Sequence, residues 1–128
     1  MWLAMNTGHE GSLTTIHGNS PRDALDRLAT LAMMAGERLG GEELVRMVSR
    51  TIELVVQLRV TARTGERRVG SIFEVTGVEG GVISGHEIFG LDHGRLVWKG
   101  RPPRCLEKMA AHGIDYVLPV GASAEDLT

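Results

Sequence analysis

Aromatic side chains are scarce in this sequence: two Phe, two Trp and one Tyr among 128 residues. A core built almost without them has to close on small aliphatic groups. There is one cysteine, Cys105, which excludes an internal disulfide and suits a reducing compartment. No apolar run approaches the ~18 residues of a membrane-spanning helix. The first residues also lack the basic-then-apolar order of a secretory signal. Charge of one sign is missing too: 14 Lys and Arg against 16 Asp and Glu leave a net −2. No global field therefore recommends nucleic acid or anionic lipid as a partner. The expectation is a cytoplasmic globular protein of one domain's length, enough to bury roughly two-thirds of its unfolded surface.

Glycine is plentiful, with 17 residues, and announces many tight turns. Leu13 to Ile16 follow the Gly8–Gly11 region, are rich in β-branched residues and read as a strand. Asn19-Ser20-Pro21-Arg22-Asp23 then signals a helix start: Ser20 as N-cap, Pro21 at the first helical position, Asp23 near the exposed amides. Ala24, Leu25, Leu28, Leu31, Ala32 and Ala35 recur at helical spacing, and Gly36 is the stop. After Gly40-Gly41 a second helix is expected over Glu42–Thr51, with Leu44, Val45, Val48 and Ile52 on one face. In "IELVVQLRV" the alternation of Leu54, Val56, Leu58 and Val60 predicts a strand. Turns at Thr64-Gly65, Glu79-Gly80-Gly81 and Asp92-His93-Gly94 then divide strands over Val69–Val78, Val82–Phe89 and Arg95–Lys99. Arg101-Pro102-Pro103 ends the sheet, and Leu106, Met109 and Ala110 suggest a short helix closing at Gly113. The class is α/β: one core strand, two helices, an antiparallel meander of three to four strands and a short C-terminal helix.

The stretch "TGHEGSLTTIHGNSP" brackets the first predicted strand with His9 and His17. Eight residues apart across a turn and a strand, they do not make a helical ligand pair, and no nearby carboxylate or thiol completes a zinc set. No metal site is expected; hydrogen-bonded structural imidazoles are the competing reading. Ser12, Thr14 and Thr15 have no evident activating base and read as strand residues. Arg22 and Arg27 fall on the first helix, where pairing with Asp23 or Asp26 on a solvated face competes with a functional role. Arg59, Arg63, Arg67 and Arg68 cluster around the first hairpin turn without interleaved aromatics. They read as a solvated edge that discourages strand addition rather than a nucleic-acid patch. Cys105, between Arg101/Arg104 and the last helix, lacks a catalytic partner. Met33, Met34 and Met47 read as packing or interface residues.

Taken together, these segments resemble the type II/type IV secretion ATPases. "WLAMNTGHEGSLTTIHGNSPRDALDRL", Trp2 to Leu28, looks like that family's histidine box, closest to the CpaF-like tight-adherence pilus branch. "ELVVQLRV" with "GERRVGSIFEVTGVEGGVI" resembles its C-terminal hairpin region, and "IFGLDHG" with "GRPPRCLEKMAAHGI" its closing segment. The resemblance implies the C-terminal part of a RecA-like ATPase domain over 1–120, followed by a mobile acidic tail over 121–128. It further implies His17, with His9, as a sensor of the nucleotide's terminal phosphate, and Arg22 and Arg27 as subunit or phosphate contacts. In the intact family ATP and magnesium are bound by a hexamer working with secretion or pilus machinery at the bacterial inner membrane. The sequence departs from the family in lacking any Gly-x-x-x-x-Gly-Lys-Ser/Thr phosphate loop and the acidic segment that precedes the histidine box. Phosphoryl transfer rests on positioning and charge neutralisation, so this chain alone is expected to be inert toward ATP. A standalone, non-catalytic oligomerisation or protein-interaction module is the alternative. Exposed strand edges would favour a homo-oligomer in either case.

Overall fold

A computed structural model describes residues 11–36 and 39–117. Helix α1 spans Pro21–Met34 and α2 Gly41–Thr51; strands β1 Leu54–Val60, β2 Arg67–Glu79, β3 Val82–Asp92 and β4 Arg95–Trp98 follow, and α3 covers Cys105–Ala111. The class expected from the sequence is thus present, with three helices and a four-stranded antiparallel sheet. The proposed tail, 121–128, lies outside the described residues.

Helix α1 starts where its caps dictate. Ser20 has extended backbone (φ −148°, ψ 165°), and its Oγ accepts from Asp23 N at 3.1 Å. Asp23 Oδ2 in turn accepts from Asn19 N at 2.7 Å, so two otherwise orphaned amides are satisfied by one turn. The helix ends as Gly36 adopts φ +86°, the left-handed geometry glycine tolerates. Helix α2 opens with Glu43 Oε2 accepting from Gly40 N at 3.1 Å, one half of a capping box.

Two compact units divide the chain. The first takes the helical segment through Glu53 and the hairpin tip Val75–Gly85. Here Ala24, Leu25, Leu28, Ala29 and Ala32 of α1 bury one face, joined by Leu44 and Val48 of α2 and by Val75 and Ile83. Arg22 Nη1 donates to Ile83 O at 3.1 Å and ties the first turn of α1 to β3. As the scarcity of aromatics requires, this core is aliphatic.

The second unit comprises Leu54–Glu74 and the chain from His86 onward. The sheet order is β1-β2-β3-β4, a meander with no crossover. Gly80 and Gly81 turn β2 into β3 with φ of +58° and +80°, and His93 and Gly94 turn β3 into β4 with +46° and +81°. Two consecutive positive φ values are what two-residue hairpins of the right twist demand. Pairing of β1 with β2 runs Gln57↔Ser71 and then Leu58↔Val69, leaving Gly70 as an extra residue on β2.

The lone strand expected at Leu13–Ile16 is not formed: residues 11–18 are irregular and Leu13 is fully exposed. A strand exists by its ladder, and no element among the described residues pairs with this segment. Local β propensity is insufficient without that partner.

Leu44 has no exposed surface. Leu44→Ala is expected to cost about 2–5 kcal/mol, read as a lower midpoint in urea-induced unfolding; a change below about 1 kcal/mol would contradict this core.

Candidate functional site

His17 lies in the irregular segment leading into α1, three residues before the cap Ser20, and its ring is exposed. The backbone around it is tightly held. Gly18 comes so close to α1 that a Cβ there would stand 2.9 Å from Ala24 Cβ and Ala24 N. With Asn19 and Ser20 engaged by Asp23, the path from His17 into the helix is set on both sides. His9 lies outside the described residues.

Arg22 shares the same end of α1 and is anchored by its bond to Ile83 O. Arg27 is on the exposed surface of the same helix. Five residues at about 100° each separate the two arginines by about 140° around the axis. They do not address one common group, so the fold assembles His17 with Arg22 and leaves Arg27 elsewhere. Ser20 acts as a cap. Ser12, Thr14 and Thr15 are exposed in coil, and among the described residues no base stands within hydrogen-bond reach of their hydroxyls. Among the described residues no three His, Cys, Asp or Glu side chains gather as a metal cluster.

A second polar group was not singled out by sequence reasoning. Glu74 of β2 is buried to 4% exposure; its Oε1 accepts from Arg104 N at 2.7 Å. Its Oε2 sits 3.5 Å from His86 Nε2 on β3, and both of those atoms are buried without a hydrogen-bond partner among the described residues. The separation is too long for a hydrogen bond; an imidazolium there would be held by charge. Beside it, buried Ser71 donates from Oγ to Glu87 Oε1 at 2.8 Å. The signal available in the sequence was a carboxylate inside the apolar run "IFEVTGV", which must find partners when the strand is buried. Glu74 works as a bracket, fastening the turn before α3 to the sheet.

The arginines near the first hairpin are distributed differently from the expectation of a protected edge. Arg67 and Arg68 are on β2, an interior strand, Arg63 is in the loop, and Arg59 alone is on the edge strand β1. Met33 and Met34 are exposed at the end of α1. Cys105 is half-buried at the start of α3 and forms no disulfide.

Comparison with known proteins identifies what this arrangement is similar to. The family described as type II/IV secretion system protein matches residues 1–82, which take in α1, α2, β1, β2 and the first residue of β3. The conjugal transfer protein TrbB of Rhizobium radiobacter is 36% identical over 75 residues, covering 58% of this chain and 21% of that protein. A probable conjugal transfer protein TrbB of Sinorhizobium fredii (strain NBRC 101917 / NGR234) is 35% identical over 72 residues, covering 56% and 20%. The chain therefore spans about a fifth of the length of these curated relatives.

Two substitutions test the local geometry. Gly18→Ala forces a Cβ into Ala24 and should destabilise by about 1–3 kcal/mol, with altered amide shifts confined to residues 16–24; an unchanged thermal midpoint would contradict the close approach. Glu74→Ala strands the Arg104 amide and should cost about 1–3 kcal/mol, with faster hydrogen exchange at Arg104 as its specific signature.

Proposed function

The chain belongs to the type II/IV secretion system protein family, and from that premise we propose that it supplies one wall of a nucleotide site in a secretion motor. In this reading His17 donates a hydrogen bond to an oxygen of the terminal phosphate and loses that partner after hydrolysis. The observation that carries it is the rigid placement of His17: Gly18 against Ala24 and the Asn19–Asp23 cap leave the imidazole exposed on a backbone that cannot drift. Arg22 stands at the same helix end and would contribute positive charge to the phosphates or to a neighbouring subunit. Arg27, turned about 140° away, suits a subunit contact instead.

The remaining walls come from residues that this sequence does not contain. It holds no Gly-x-x-x-x-Gly-Lys-Ser/Thr, and neither of its two lysines, Lys99 and Lys108, follows a glycine. The carboxylates described above do not gather in a way that fits magnesium, so no step is assigned to the metal here. The chain by itself is thus a non-catalytic segment, with ATP hydrolysis and its coupling to export belonging to a larger assembly. That assembly is a homo-oligomer on the cytoplasmic side of a bacterial inner-membrane secretion complex. The two relatives bear conjugal-transfer names, and the sequence itself resembles the pilus-assembly branch; both are envelope-export tasks. Among the described residues no helix is long and apolar enough to cross a membrane. A second reading, a standalone association module, draws on the exposed apolar residues of β1.

Grafting decides between them. Replacing the matching 75-residue segment of the Rhizobium radiobacter relative with the corresponding part of this chain should preserve that protein's nucleotide turnover, if it has any. His17→Ala in the graft should then lower kcat by about tenfold or more with little change in KM. Full turnover by the His17→Ala graft would refute the sensor role. ATP turnover by the 128-residue chain alone would refute its inertness.

A further inference from the structure

Strand β1 is an edge of the sheet, paired with β2 alone among the described residues. Val75 N donates to Glu53 O at 2.9 Å. Odd-numbered positions of this strand therefore aim their backbone groups at β2, and even-numbered positions aim theirs outward. The even positions are Leu54, Val56, Leu58 and Val60, whose side chains share one face and are 40, 55, 60 and 63% exposed. Ile72 and Val69, opposite Val56 and Leu58 on β2, continue that apolar face. The extra residue at the register shift is on β2, so the outward alternation of β1 is unbroken. Edge strands of soluble proteins ordinarily carry a charge, a proline or a bulge against addition of another strand. The apolar face of β1 carries none of these.

We propose that β1 is a self-association edge, where a second copy of this chain adds its own β1 antiparallel about a two-fold axis through Val56. In this register Val56 faces its own copy and Leu54 faces Leu58, so outward-aimed backbone groups meet in hydrogen-bonded pairs. On the other face Glu53 falls opposite Arg59, once on each side of the axis. Arg59 is the one charged side chain within β1, and its stem lies over Gly70, where a Cβ would approach Cγ to 2.6 Å, keeping the guanidinium at the sheet surface. Charge complementarity selects the register: a two-fold axis through Gln57 would instead set Arg59 opposite Val55 and Glu53 opposite Thr61. The occupant is a second copy because the strand is complementary to itself in both apolar pattern and charge. This inference is independent of the nucleotide reading and stands or falls separately from it.

Sedimentation equilibrium of the 128-residue chain over a concentration series, together with cysteine cross-linking, tests the edge. A monomer–dimer equilibrium is expected. Arg59→Glu sets like charges opposite one another and should weaken the dimer by about tenfold or more, while the swapped pair Glu53→Arg/Arg59→Glu should restore it. In a Cys105→Ser background, Val56→Cys should form an intermolecular disulfide readily, since directly opposed Cα atoms lie about 5.5 Å apart. Gln57→Cys should cross-link more slowly. Circular dichroism of each variant excludes loss of fold as the cause, and the disulfide comparison needs no charge reversal. A chain that remains monomeric throughout the series overturns the proposal. So does a dimer that ignores Arg59→Glu, or one that cross-links as fast through Gln57→Cys as through Val56→Cys.

Discussion

Burial of β2 on both of its faces is the constraint from which most of this structure follows. Phe73, Glu74 and Val75 are consecutive and all buried, and consecutive strand residues point to opposite faces. Such a strand tolerates a carboxylate only if its oxygens are accommodated. Glu74 meets that demand with the Arg104 amide on one oxygen and His86 near the other. The position of the turn before α3 is therefore a consequence of where a charge had to be satisfied. At Val75 the strand continues into the helical unit, whose core of Leu25, Leu44 and Val48 is closed by aliphatic contacts alone. A strand so fully covered leaves the exposed positions of the sheet to its outer neighbours, which is why the apolar alternation of β1 faces solvent.

The start of α1 obeys a different logic, set by sequence-local hydrogen bonds. Ser20, Asp23 and Asn19 satisfy each other within five residues, and Gly18 removes the side chain that would keep the incoming strand of chain off the helix. Local capping fixes direction; the bond from Arg22 to Ile83 O, 61 residues along the chain, fixes the helix end against the hairpin. His17 inherits its placement from both. Its own side chain contributes nothing to the fold around it, being exposed, and is free to serve a ligand or a partner.

What the sequence made legible divides along the same line. The α1 cap, the Gly36 stop and the hairpin turns at Gly80-Gly81 and His93-Gly94 were readable because each is decided by neighbours a few residues apart. The helical spacing from Ala24 to Ala32 and the face of Leu44 and Val48 were readable for the same reason. The segment Leu13–Ile16 was misread as a strand because pairing is a long-range property that composition does not carry. Whether Leu54, Val56, Leu58 and Val60 would be covered or bare was equally hidden: alternation reveals that one face differs from the other, not whether anything lies on it. Glu74 was visible as a charge in an apolar run, but its partners, 12 and 30 positions away at His86 and Arg104, were not. The placement of Arg22 and Arg27 on one helix was legible; their divergence around it follows from helical geometry once the helix is granted.

On the proposed reading, the simplicity of the chemistry at His17 is itself informative. Phosphoryl transfer asks the protein mainly for position and charge, with little covalent work. An exposed imidazole is poor at binding anything alone, since water competes for every hydrogen bond it can make. Its value appears when other walls exclude that water and bring a phosphate oxygen to it. A segment that carries the histidine on a rigid, glycine-shaped approach, and lacks the phosphate loop, therefore has geometry to offer and almost no intrinsic affinity. That combination makes a sensor wall dependent on assembly, because its hydrogen bond gains strength only as the site closes around it. The rigid turn is the contribution that survives in isolation, and it is the part that this sequence encodes most locally.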